Sequence, residues 1–224
     1  MSSGSLTVVN STFSNCRATQ DGGAIYCGGK VDMTGCTFTQ NQTLSSQGGA
    51  VYVGGKNTIN IDNCTFDQNS AVSYGGAVTI GNGASTLNFS GTCRFTNNTA
   101  KGNGTHFGGA VLAPSNVNIK ADAVVMMTGN ECTDYDCGDA ISINSESSTG
   151  FIIESGAALY VWDNPNAADS HNDVCLKKGA TAQPTVRDGG TYCTSAPPAQ
   201  TSVQNLYTAI LSEGLNFRSA VASL

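Results

Sequence analysis

Two short signatures alternate along the first two-thirds of this 224-residue chain. One is an aromatic followed three residues later by asparagine: "FTQN" at 38–41, "FDQN" at 66–69 and "FTNN" at 95–98. The other is a glycine pair followed by alanine and a β-branched residue: "GGAI" at 22–25 and "GGAV" at 48–51, 75–78 and 108–111. The aromatic anchors Phe13, Phe38, Phe66 and Phe95, continued by Met127, advance by 25 to 32 residues. The glycine anchors Gly22, Gly48, Gly75, Gly108 and Gly138 advance by 26 to 33. The two sets move together, so one unit of roughly 28 residues recurs with loops of elastic length.

Each unit holds three short segments in which apolar residues alternate with polar ones. The first runs Leu6/Val8, Val31/Met33, Ile59/Ile61, Leu87/Phe89 and Val117/Ile119. The second is Ser11/Phe13, Cys36/Phe38, Cys64/Phe66, Cys93/Phe95 and Val125/Met127. The third is Ile25/Cys27, Val51/Val53, Val78/Ile80, Val111/Ala113 and Ile141/Ile143. A degenerate sixth unit carries Phe151/Ile153, Leu159/Val161 and Asn164. Period two marks strands with one buried face. Three such strands per unit bury almost nothing alone, so the units must stack, like residue over like, with equivalent strands pairing in parallel. The expected fold is all-β, a right-handed parallel β-helix of about six rungs. An antiparallel sandwich would not demand identical side chains at identical registers.

The signature residues then have structural roles. Asn41, Asn69, Asn98, Asn130 and Asn164 form one corner column, suited to left-handed backbone and to amide hydrogen bonds passed from rung to rung. Unit one places Cys16 there, with Asn15 one residue early, which predicts a distorted or disulfide-bonded first corner. The glycine pairs admit a tight bend or positive φ, and no helix or lysine follows to make them a phosphate cradle. Gly138-Asp139-Ala140 breaks the pair and predicts an altered turn. Cys36, Cys64 and Cys93 read as small buried hydrophobes in a single column. Cys132 with Cys137, and Cys175 with Cys193, bracket loops and are candidate disulfides. Without CxxC or a neighbouring histidine, cysteine ligation of a metal is not expected.

Loops between the asparagine column and the glycine pair lengthen to nine residues in "TAKGNGTHF", and repeat proteins concentrate binding on such edges. Tyr74, His106, Phe107 and Tyr135 form the candidate binding edge there, set against the plainer reading that they pack locally. Asp134, Asp136 and Asp139 in "DYDCGD" read as solvated turn carboxylates rather than a calcium loop. Arg94 lacks the acidic cluster a polysaccharide lyase needs, and Asp62 and Asp67 are not duplicated as a glycosidase pair. No catalytic, cofactor or metal site is expected.

A net charge of −6, with 16 acidic and 10 basic residues, argues against nucleic acid and anionic membranes as partners. Polarity comes from Gly, Asn, Ser and Thr rather than from charge, which suits an extracellular β-protein. No apolar run is long enough to span a bilayer as a helix. Six Asn-x-Ser/Thr sequons occur; Asn97 and Asn103, on a loop, are the candidate glycosylation sites, whereas Asn41 belongs to the corner column. A strand pattern beginning at Leu6 without a leader suggests an excised segment of a longer protein. The expected division is β-helix 1–195, a Pro-rich linker 196–200, and a short C-terminal amphipathic helix and tail 201–224. In that tail Val203, Leu206, Tyr207, Ile210 and Leu211 recur at helical spacing.

With "FTQN", "FDQN", "FTNN" and the four "GGAI"/"GGAV" tetrapeptides interleaved, the chain resembles the repeats of the chlamydial polymorphic outer membrane proteins, across about residues 6–145. That resemblance implies a surface-exposed β-helical passenger acting in adhesion. Two further expectations stand beside an adhesin-like module that binds protein or glycan at a surface. One is a structural subunit that self-associates end to end through open strand edges; the other is a carbohydrate-active enzyme.

Overall fold

The computed structural model describes residues 4–81, 85–101, 108–114, 116–133, 139–144, 150–165, 174–176 and 184–194. All strands in it pair in parallel, and each pairs with its equivalent one repeat away. Sheet A consists of Leu6–Val9, Val31–Thr34, Thr58–Asp62, Thr86–Ser90, Asn116–Ile119, Phe151–Ile153 and Thr185–Val186. Sheet B consists of Thr12–Ser14, Thr37–Thr39, Thr65–Asp67, Thr92–Thr96, Val124–Thr128, Ala158–Trp162 and Thr191–Cys193. Sheet D, which follows the glycine pairs, runs Ile25–Cys27, Val51–Val53, Val78–Ile80, Val111–Ala113, Ile141–Ile143 and Val174–Leu176. These are the three expected segments. The chain is a parallel β-solenoid of about six coils.

Sequence reasoning missed a fourth side. Two-residue strands Arg17–Ala18, Gln42–Thr43, Ser70–Ala71, Thr99–Ala100 and Glu131–Cys132 form sheet C, directly after the asparagine corner. Its inward position is taken by Thr43, Ala71, Ala100 and Cys132, all buried. The signal lay two residues after Asn41, Asn69, Asn98 and Asn130, where Thr43, Ala71, Ala100 and Cys132 are all small.

The interior is a stack of columns. Phe13, Phe38, Phe66 and Phe95 lie face to face, with ring centroids 4.8–4.9 Å apart and planes within 3–4°. That geometry is the rung spacing of parallel strands rather than the offset that isolated rings prefer. Phe89 closes the core edge-on against Phe95, with centroids 5.8 Å apart. Cys36, Cys64 and Cys93 sit in one buried column as thiols. Their Sγ atoms donate to carbonyls of the preceding corner, as from Cys64 to Asp62 at 3.2 Å and Cys93 to Ser90 at 3.3 Å. Burial pushes the Cys64 thiol up to about 12 and the Cys93 thiol up to about 11.

At the corner between sheets B and C the asparagine column is an unbroken ladder. Each Nδ2 donates to the next Oδ1: Asn41 to Asn69 at 3.0 Å, Asn69 to Asn98 and Asn98 to Asn130 at 2.9 Å, Asn130 to Asn164 at 3.1 Å. The second amide hydrogen reaches a carbonyl of the coil before, as from Asn69 to Phe38 O at 3.0 Å. Each Oδ1 also accepts a backbone N–H, from Asn41 to Asn69 for example. The left-handed residue is not the asparagine, as expected, but the one before it: Asn15, Gln40, Gln68, Asn97 and Asp163, at φ 48–57°. This frees the asparagine to turn its amide inward. The first corner is also undistorted, because Asn15 keeps the left-handed turn and the Cys16 N–H still donates to Asn41 Oδ1 at 3.0 Å. Cys16 is a thiol.

The glycine pairs divide their work. The first glycine carries positive φ at Gly22, Gly48 and Gly75. The second lies against the next coil: a Cβ on Gly49 would meet Gly76 O at 2.0 Å, and one on Gly76 would meet Gly109 O at 2.2 Å. Asp139 stands in this column in the fifth coil, and there its carboxylate accepts the Cys132 N–H at 3.1 Å.

Candidate functional site

Of the expected binding edge only Tyr74 lies among the described residues. Tyr74 is half-buried and packs against Cys132, while its carbonyl accepts the Gly48 N–H and the Thr79 hydroxyl, both at 2.8 Å. Tyr74 therefore braces the loop it belongs to. His106, Phe107 and Tyr135 lie outside the described residues, as do Asp134, Asp136, Cys137, Asn103, the linker 196–200 and the tail 201–224. Cys132 is disulfide-bonded, and its candidate partner Cys137 is outside the described set. The second candidate bridge is corrected: Cys175 and Cys193 are both thiols. Cys175 faces outward on sheet D, its Sγ 3.4 Å from Ser142 Oγ, whereas Cys193 aligns with Tyr160 on sheet B. Two side chains leaving the coil from different sheets do not meet. Asn97 is exposed at its corner, with Nδ2 3.4 Å from Asp67 Oδ1, and Asn41 is fully buried.

The outer faces differ in character. On sheet A a second amide ladder runs along the surface. Asn118 Nδ2 donates to Asn88 Oδ1 at 3.0 Å, Asn88 to Asn60 at 2.8 Å, and Asn60 to the Asp32 carboxylate at 2.6 Å. Lys30 Nζ reaches Asp32 at 2.8 Å. The Lys30 hydrogen bond, then that from Asn60, holds the Asp32 carboxyl below its ordinary range. On sheet B, Asp67 accepts from Thr96 Oγ1 at 2.7 Å and from Gln68 Nε2 at 3.1 Å. These carboxylates are bound to their neighbours, as expected of structural surface groups.

Sheet D is where the outer face opens. Its outward column runs Tyr26, Tyr52, Thr79, Leu112, Ser142 and Cys175. The last four are buried, yet Tyr26 is 56% exposed and Tyr52 is half-buried. The two rings stack with centroids 5.3 Å apart and planes 16° from parallel. Two glycines lie beside Tyr52. A Cβ on Gly54 would touch Tyr52 Cε1 at 3.4 Å, and one on Gly81 would come within 2.8 Å of the Tyr52 hydroxyl oxygen. Burial, then the Asp21 carboxylate and Tyr26, raises the Tyr52 hydroxyl above its usual range. Asp21 itself accepts a hydrogen bond from Ser46 Oγ. Two further exposed apolar residues, Leu44 and Val72, follow sheet C at equivalent places in adjacent coils. This pair of tyrosines was missed in the sequence. The signal was an aromatic at the middle, outward position of the third segment in two consecutive units, "IYC" and "VYV".

Among the described residues no helix is long and apolar enough to cross a membrane, and no cluster of three or more His, Cys, Asp or Glu is placed to hold a metal ion. The fold and the ladders define a parallel β-solenoid whose interior serves stacking. A family model described as "Right handed beta helix region" matches residues 1–174. The chain belongs to that family. No curated protein and no solved structure matches it.

Proposed function

We propose that the chain is a non-catalytic extracellular surface module, adhesin-like, which recognises a ligand on the outside of a rigid β-helix. The observation that carries this reading is the opening of sheet D at Tyr26 and Tyr52, two adjacent aromatic rings, one exposed and one half-buried, on a scaffold whose Asp32 and Asp67 carboxylates and Asn60 and Asn88 amides are bound to their neighbours. A contiguous exposed apolar patch on a soluble surface marks an interaction site. The interleaved FxxN and GGA[IV] signatures, resembling the chlamydial surface-protein repeats, support the same setting, as does a composition polar without being charged.

A second reading, a subunit that polymerises through solenoid ends, rests on the first coil. Leu6, Val8 and Phe13 are only partly buried there, and the strands of that coil pair on one side. The recognition reading ranks above it because Cys16 replaces asparagine in the first coil. A coil laid against that corner would find no amide oxygen to accept its N–H groups, and an unpaired buried donor costs about 1–3 kcal/mol.

The test is binding of the purified, fluorescently labelled chain to a panel of bacterial, fungal and animal cells. Saturable binding to at least one, competed by unlabelled chain, is the expected result; none on any surface overturns the proposal. Sedimentation velocity over a wide concentration range decides the second reading: growth into long species supports the filament, and a constant monomer removes it.

A further inference from the structure

We infer that the Tyr26–Tyr52 platform is a binding site for a neutral saccharide chain; this rests on the recognition reading above and names its ligand class. The rings are adjacent, near-parallel and partly exposed. Glycine backbone at Gly54 and Gly81 lies beside Tyr52, and a Cβ at Gly81 would press on its hydroxyl. The tyrosine hydroxyls supply hydrogen-bonding groups at the rim of the rings. The combination is a pair of stacked, partly exposed aromatic rings with hydroxyl groups at its edge. It suits a pyranose, whose C–H face is apolar and whose rim is a ring of hydroxyls.

Size and charge choose among occupants. A tyrosine offers about 150–250 Å² when fully buried, so two rings give at most about 500 Å², below the roughly 800 Å² per partner of a stable protein interface. A glycan needs no more than a few sugar faces. The net charge of −6 and the Asp21 carboxylate repel uronate and sulfated polymers and favour uncharged ones. Burial, which raises the Tyr52 hydroxyl above its usual range, favours its neutral form, a donor for a sugar oxygen.

The experiment is affinity electrophoresis of the full chain in gels containing β-1,3-glucan, mannan, galactan, xylan or polygalacturonate. At least one neutral polymer should retard the wild type, and Tyr26→Ala with Tyr52→Ala should weaken that retardation at least about tenfold with unchanged circular dichroism. Tyr74→Ala, which loosens only the brace on Cys132, should keep the retardation. In the wild type, oligosaccharides of the retarding polymer should protect Tyr26 from nitration by tetranitromethane, a readout that stands if the double variant fails to fold. Retardation that survives the double substitution, unprotected Tyr26, or a preference for polygalacturonate overturns the inference. So does the absence of retardation by any neutral polymer. Cell binding that persists in that last case, and is abolished by protease treatment of the cells but not by periodate, overturns the saccharide while leaving the recognition reading standing. Loss of both overturns both.

Discussion

A single side chain in the asparagine ladder answers to both of its neighbours. Asn69 donates to Asn98 Oδ1 and Phe38 O and accepts from the N–H and the Nδ2 of Asn41. Asn69→Ala leaves buried groups on two coils without partners, each costing about 1–3 kcal/mol. The expected loss is therefore several kcal/mol, on the order of 3–5, measured as a lower midpoint in urea. A loss below 1 kcal/mol would mean that water replaces the amide. By contrast Cys16, at the head of the column, contributes only its backbone N–H. At this scale the sequence was legible where a residue repeats at fixed offset. It misled by one position over which residue takes the left-handed turn, because asparagine tolerates that backbone as well as it forms ladders. Glutamine at 40 and 68 is no favoured left-handed residue, and only the ladder's geometry forces it there.

Strands and turns were legible in proportion to how much alternation they contain. Sheets A, B and D show two inward residues per strand, which suffices to set a period. Sheet C has one inward residue per two-residue strand, so no period exists to be read, and its small side chains pass for loop composition. The corner between sheets A and B was missed for a related reason. It alternates between residue types, Asn10 then Gly35, Asn63 then Gly91, Asp122 then Gly156, all at positive φ. The polar side chain of one coil covers the glycine of the next, with a Cβ on Gly35 falling 2.3 Å from Asn10 Oδ1. A repeat two coils long escapes an alignment made one coil at a time. The tyrosine platform escaped because the outward position of a half-buried strand is free to vary and draws no attention. The glycine columns give an element-scale prediction. Gly49→Ala should destabilise by roughly 3 kcal/mol or more, as its Cβ would drive into Gly76 O and Ser70 backbone. Gly54→Ala, whose Cβ makes ordinary contact with Tyr52, should cost less than about 1 kcal/mol. Thermal unfolding of the two variants side by side checks the contrast, and equal costs would refute it.

For the whole molecule, the cysteine column couples stability to pH. Cys64 and Cys93 titrate near 12 and 11 in the folded chain against 9.0 for an ordinary thiol. Below pH 9 both states hold these protons and stability is unaffected. Above it the unfolded chain releases them first, so stability falls as pH rises from 9 toward 11 to 12. Each thiol adds about 1.4 kcal/mol per pH unit to that slope. Replacing both by alanine should lower stability at neutral pH through lost packing yet flatten the alkaline decline, as read from urea unfolding at pH 8, 9.5 and 10.5. An unchanged slope would place the titration elsewhere. The solenoid as a whole was legible because stacking requires every coil to obey the same pattern, so five approximate copies amount to one clear statement.

The inner and outer amide ladders have opposite senses. Inside, the ladder hydrogen of Asn41, Asn69, Asn98 and Asn130 Nδ2 is donated toward the C-terminal end, the last to Asn164. On the face of sheet A every Nδ2 points toward the N-terminal end, where Asp32 can only accept and so sets the polarity of the amides queued behind it. The two rows of amides thus run antiparallel, five asparagines inside against three on the outer face, and their dipoles oppose one another. The outer row therefore subtracts from the helix-like macrodipole that the inner row alone would build, and Asp32→Asn would free the outer row to reverse while the inner one holds its direction.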